Sequence, residues 1–154
     1  PHQEMGITTQ SQDKEAIENA LQKLEIQYLR HAKINEISGG ELALALLARV
    51  LAGEPKFIFA DEPLNHLDIV HQLKLLAALK DFAKSGGGVL SIIHDLNFAS
   101  LLGDKFLSLS CGNMVAIGNK DHVLNAQTLK NTFHIDFDVQ NFNAQTIYFP
   151  KIPS

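Results

Sequence analysis

The sequence has 154 residues, 45% of them hydrophobic, and a formal net charge of −4 from 13 basic and 17 acidic side chains, enough chain for one globular domain with a core of its own. It has no Lys/Arg-rich run that could neutralise a row of phosphates, so nucleic acid is not an expected partner. Cys111 is the single cysteine, which excludes an internal disulfide and a multi-cysteine metal site and fits a reducing compartment.

Pro1 to Gln12 is polar and lacks the apolar core of an export signal. From Asp13 to Arg30 the residues Ile17, Leu21, Leu24 and Tyr28 recur at helical spacing, which predicts an amphipathic helix with one apolar face. Ser38 is placed to cap a second helix that runs to about Ala52 and stops at Gly53 and Pro55. This helix is apolar almost all round and is expected to be buried. Its Leu42 to Ala48 segment is too short to span a bilayer, which takes roughly 20 apolar residues.

Phe57 to Ala60 reads as a buried strand that ends abruptly in Asp61, Glu62 and Pro63. Helical spacing returns from His66 to Phe82 through Ile69, Leu73, Leu76 and Leu79. Gly86-Gly87-Gly88 ends that helix before a second apolar strand, Val89 to Ile93. Strand, helix, strand implies parallel pairing, and the right-handed crossover puts both strand ends, with Asp61, Glu62 and His94, on the sheet edge where α/β proteins bind ligands. Further on, Lys105 to Ser110 and Met114 to Ile117 flank the turn-like Cys111-Gly112-Asn113 and predict a hairpin. Short helices are expected around Asp121 to Val123 and Leu129 to Phe133, and Asp136 to Phe149 is expected to form two edge strands.

Three of these places carry candidate chemistry. Ser38-Gly39-Gly40-Glu41 sets a hydroxyl and two glycines at a helix start, where unpaired N–H groups and the positive dipole end favour an anion. A plain Ser-capped helix after a tight turn has the same composition. Asp61 at a strand end suits Mg²⁺, directly or through water. Glu62, one residue on, could orient and deprotonate a water aimed at a γ-phosphate, although a solvated acidic junction also fits. His94 could hydrogen-bond that phosphate and the attacking water, or serve as a core or capping histidine. His66 and His71 are five apart, which does not suit a helical metal pair, and both are expected at the surface.

The order of these features along the chain, from Ser38 through the Asp-Glu strand and Leu64-Asn65-His66-Leu67-Asp68 to His94, resembles the ABC ATPase family. The resemblance makes them the signature motif, the Walker B strand, the D-loop and the switch histidine. It implies an α/β, partial P-loop NTPase fold over residues 1–154, with a helical subdomain to about residue 53 and the C-terminal RecA-like half from about residue 54. Pro1-His2 and the segment from Leu102 to Val139 resemble the ATPases of iron-chelate, haem and cobalamin importers more narrowly. Ile37, Glu41 and Leu64 depart from the family's usual Leu, Gln and Thr or Ser.

By that resemblance Ser38, Gly39, Gly40 and Glu41 would meet the ATP held by a second ABC ATPase subunit in a homodimer. Asp61 would serve Mg²⁺, Glu62 would be the general base, Asp68 would couple the two sites, and His94 would sense the γ-phosphate. Transmembrane permease subunits and, indirectly, a periplasmic or surface binding protein are the implied partners, at the cytoplasmic face of the cell membrane. No G-x-x-x-x-G-K-[ST] run occurs in the sequence, so the chain alone is expected to be inactive. Two alternatives stay open: a non-catalytic module that docks on a complete ABC subunit, and a soluble ABC protein of DNA repair or translation.

Overall fold

A computed structural model describes residues 10–143 and 145–152, in two compact units that divide between Ile92 and Ile93. The Pro1-His2 resemblance lies outside the described residues. In the first unit the expected opening helix is cut short: α1 spans Gln10–Lys23. Glu25 takes a positive φ of 56°, its N–H donates to the Gln22 carbonyl at 3.1 Å, and the Ile26 N–H donates to the Leu21 carbonyl at 3.0 Å. That pair of bonds is a Schellman close, which satisfies the last carbonyls of the helix while reversing the chain. The reversal leaves Leu24 and Ile26 buried and Tyr28 exposed; sinking Ile26 replaces the further turn that the spacing predicts.

The second helix, α2, spans Gly39–Ala52 with Ser38 as its N-cap, as expected. It packs against α1 and against the next long helix through Leu44, Leu47, Ala48 and Ala52. Leu46 and Val50 are exposed, so the helix is buried on one side only and not all round.

Strand β1, Phe57–Asp61, pairs in parallel with β2, Gly88–Ile92, in the register Phe57↔Gly88 to Asp61↔Ile92. Between them α3 spans Ile69–Lys84 and packs on β2. It starts three residues later than its spacing suggests because Asp68, not His66, caps it. The triple glycine ends it as expected: Gly86 has φ 99°, and Gly86 and Gly87 donate to the carbonyls of Ala83 and Phe82 in a second Schellman close. Leu75, Leu76 and Leu79 are buried, whereas Ile69 and Leu73 are exposed.

The expectation that β1 is a buried strand is corrected. Ile58 is buried, but Phe57 and Phe59 are 66% and 76% exposed, and Leu90 and Ile92 of β2 are exposed beside them. Side chains alternate across a strand, so these four residues share one face of the two-stranded sheet.

In the second unit α4, Leu96–Leu102, is an element the periodicity does not predict. Asp95 caps it by accepting from the N–H groups of Asn97 and Phe98 at 2.8 and 3.1 Å. The expected hairpin is present as β3, Phe106–Ser110, and β4, Asn113–Gly118, joined by Cys111 and Gly112 with φ 49° and 77°. Positive φ at both central residues marks a type I′ turn, whose twist matches the strands. Helices α5, Lys120–Val123, and α6, Ala126–Phe133, follow, each capped by an asparagine. The expected edge strands form the antiparallel pair β5, Phe137–Phe142, and β6, Gln145–Pro150. Val123, Leu124, Leu129 and Tyr148 are the centre of this unit's core. Among the described residues no helix is long and apolar enough to cross a membrane.

The two faces of β1 should answer differently to truncation. Ile58→Ala is expected to cost about 2–5 kcal/mol, the range for a buried large-to-small change, and Phe59→Ala to stay within about 0.5 kcal/mol. Urea unfolding of both variants measures this, and equal losses would contradict the assigned faces.

Candidate functional site

The start of α2 is closed by a reciprocal pair of bonds. Ser38 Oγ accepts from the Glu41 N–H at 3.2 Å, and the Glu41 carboxylate accepts from the Ser38 N–H at 2.8 Å, a capping box. The Tyr28 hydroxyl adds a bond to Glu41 Oε1 at 3.0 Å. Hydrogen bonds from the Ser38 backbone, then its hydroxyl, then Tyr28 hold Glu41 below the usual glutamate range. Glu41 is thus committed to the cap, with Tyr28 on one carboxylate oxygen and the Ser38 N–H on the other.

The two glycines differ. A Cβ at Gly39 would meet nothing within 4 Å, so its backbone is open to close approach; a Cβ at Gly40 would overlap the ring of His71. Gly40 is buried, and the reason it is glycine is a side chain of the chain itself.

At the other end of the unit, Asp61 closes β1 opposite Ile92 and is exposed. The Glu62 N–H donates to the Ile92 carbonyl at 3.0 Å, carrying the sheet one bond past Asp61, and Glu62 takes φ 46°. The left-handed region disfavours a residue with a side chain, at a cost of order 1–3 kcal/mol, and such strain gathers at functional sites. Two contacts from Asn65 hold the turn: its N–H donates to the Glu62 carbonyl at 3.2 Å, and its side-chain amide donates to Glu62 Oε2. Among the described residues no three His, Cys, Asp or Glu side chains gather for a metal. The single carboxylate of Asp61 fits Mg²⁺, which keeps waters and is commonly held by one or two carboxylates plus substrate phosphates.

The loop from Glu62 to Asp68 is tied to the first turn of α3. Leu64 is buried, and its carbonyl accepts from Gln72 Nε2 at 3.1 Å. Asp68 Oδ1 accepts from the His71 N–H at 3.0 Å, and Asp68 Oδ2 lies 2.7 Å from His71 Nδ1. The His71 backbone N–H first, and its ring second, hold Asp68 below the usual aspartate range. His66 is exposed, as expected. His71 is not a surface residue: its side chain is 21% exposed, between Asp68 and Gly40. Asn65, His71 and Gln72 are therefore structural partners of the site that spacing alone misses. The clue was Asp68 three residues before His71, the separation of a helix N-cap from the N–H it receives. His94 follows β2 by two residues and belongs to the second unit.

Residues 1–65 match the ABC transporter family. A hemin import ATP-binding protein of Mesorhizobium japonicum is 36% identical over 130 residues, covering 79% of this chain and 49% of the relative. The chain belongs to the ABC transporter ATP-binding family. A solved metal-chelate type ABC transporter in an inward-facing conformation superposes with a TM-score of 0.86 at 28% identity, over 94% of this chain and 60% of that one. A dimeric ATP-binding cassette in a post-hydrolysis state with ADP and phosphate matches with a TM-score of 0.65 at 26% identity, over 75% of this chain and 50% of that one. The α/β fold is that of part of an ABC ATPase domain, and the chain spans about half the length of the curated relatives it matches.

The cap at Asp68 sets a pH dependence. Its folded pKa is depressed, so the stability it contributes is fully present above the unfolded aspartate value near 4 and is lost as pH falls through the lower folded value. A carbon-13 titration should place the Asp68 midpoint below that of an unfolded peptide, with the Ile69 to His71 amides changing in step. A midpoint at or above the peptide value would remove the cap from this account.

Proposed function

We propose that the chain is part of the ATP-hydrolysing subunit of an ABC importer for an iron chelate, haem, cobalamin or a related metal complex. The names of its relatives support this reading: one imports hemin, and a solved neighbour is a metal-chelate type transporter. The observation that carries the chemistry is Glu62, set one residue beyond β1 in a left-handed conformation with its carboxylate bonded to Asn65.

In this reading Ser38 and Gly39 meet the γ-phosphate of ATP held by a second subunit, with Gly40 and Glu41 shaping that helix start from behind. The dimeric cassette among the structural neighbours supports such a pairing. Asp61 serves Mg²⁺, which when bound would neutralise phosphate charge. Glu62 takes a proton from the attacking water, Asp68 couples the two sites of the homodimer, and His94 hydrogen-bonds the γ-phosphate. Residues to about 53 form the helical subdomain, and the remainder belongs to the RecA-like half. The partners are transmembrane permease subunits, and a periplasmic or surface binding protein indirectly, at the cytoplasmic face of the membrane.

Two measurements test the reading. In a complete subunit carrying this sequence, Glu62→Gln should abolish single-turnover hydrolysis and spare ATP binding, because the amide keeps the shape and loses the base. A positioned base contributes about 10²- to 10⁴-fold, so a variant that keeps more than about a tenth of the rate would demote Glu62.

The 154-residue chain alone should bind MgATP no tighter than a millimolar dissociation constant, about −4 kcal/mol. Its sequence has no G-x-x-x-x-G-K-[ST] run to supply the ring of N–H groups and the lysine that hold β- and γ-phosphates. Calorimetric titration reads this directly, and saturable micromolar binding would overturn it.

A further inference from the structure

Two helix starts in the first unit are joined by one ring. His71 stands on the first turn of α3, with its backbone N–H and Nδ1 both given to the Asp68 carboxylate. A carboxylate can only accept, so Nδ1 carries the hydrogen, and the ring plane is fixed by a bond to the residue that caps its own helix. Its ring atoms lie too close to where a Cβ of Gly40 would stand to leave room for one, against the second residue of α2. The same histidine is close enough to Glu41 to help lower its pKa, after the bonds from Ser38 and Tyr28. Gln72, the next residue, holds the Leu64 carbonyl, so the loop that leads to Asp68 is fixed from the same turn.

We infer that His71 is a positioning residue that couples the start of α2 to the start of α3, so that Ser38 and Gly39 shift when Asp68 shifts. A rotation of the Asp68 carboxylate turns the ring through a bond of 2.7 Å. The ring cannot turn without pushing on Gly40, because no side chain or gap separates them. Gly40 in turn is one peptide from Gly39 and lies inside the capping box between Ser38 and Glu41. An alanine at position 40 would occupy the volume the ring needs, and this gives the second glycine a role distinct from ligand approach. The inference rests on the proposed function only in calling both helix starts nucleotide-facing; the coupling itself needs no nucleotide.

Nitrogen-15 and proton spectra of the 154-residue chain without nucleotide test it. Asp68→Ser keeps an N-cap, since serine caps about as well as aspartate, and removes the second oxygen that holds His71 Nδ1. It is expected to shift the Gly39, Gly40 and Glu41 amide resonances. In a His71→Ala background the same Asp68→Ser change should leave those three resonances where they are.

Equal shifts in both backgrounds, or no shift in the first, would overturn the coupling; a purely structural role for His71 predicts lower stability and no such transmission. Should His71→Ala fail to fold, the unsubstituted chain still decides. Nuclear Overhauser contacts from the His71 ring to the Gly40 α-protons and a hydrogen on Nδ1 are expected, and absence of either contradicts the geometry. Failure of the Glu62→Gln or MgATP tests would leave these spectra unchanged, so the two readings fail separately.

Discussion

The first N–H groups of an α-helix have no partner within it, and the first unit is arranged around meeting that demand at two neighbouring places. Ser38 and Glu41 close α2, and Asp68 closes α3. Both caps use side chains that the proposed chemistry also needs, so cap and site cannot be altered independently. The consequence is a division of labour within each motif. Glu41 is bonded on both carboxylate oxygens, to Tyr28 and to the Ser38 backbone, and is a support. Ser38 accepts from the Glu41 N–H, and Gly39 keeps its backbone clear. In the proposed chemistry, the ligand-facing part of this four-residue motif is its beginning, and its end, Gly40 and Glu41, is packing and support.

The junction after β1 follows a different rule. Asp61 ends the strand in register with Ile92, yet the sheet does not stop there, because Glu62 still donates to the Ile92 carbonyl. To make that bond and then turn into the loop, Glu62 adopts a φ that a glycine would adopt more easily. The chain places a carboxylate there and secures it with Asn65. Glu25 takes the same region where it closes α1, so the left-handed turn at Glu62 fixes where its carboxylate stands, and its role is left to the proposed chemistry.

Periodicity and end signals made most of this unit legible. The capped start of α2, the parallel pair around α3 and the glycine end of α3 follow from Ser38, from two apolar runs and from Gly86. The hairpin at Cys111-Gly112 was likewise marked by its turn residues. What was not legible has specific causes. α1 ends at Lys23 and not Arg30 because a glutamate, Glu25, takes the left-handed position usually given to glycine, and no sequence signal marks that. α4 is only seven residues long, too short for a helical period to show. His71 was assigned to the surface because the spacing of two histidines speaks only about metal; its actual neighbour, Gly40, is 31 positions away along the chain, a contact made by the packing of α2 on α3.

The misreading of β1 is the most instructive, because the sequence signal behind it was sound. A short apolar run without polar alternation, Phe57 to Ala60 or Val89 to Ile92, is the composition of a parallel strand covered on both faces. Helix α3 packs on the sheet through β2, and Ile58 is buried accordingly. Phe57, Phe59, Leu90 and Ile92 have the same composition and no such cover. Residues of this size are ordinarily worth about 1.5–3 kcal/mol each when buried, so four of them side by side form a surface suited to a further packed layer. Relatives about twice the length of this chain have room for one. The composition of β1 and β2 is therefore that of strands covered on both faces, whereas the described sheet is covered on one.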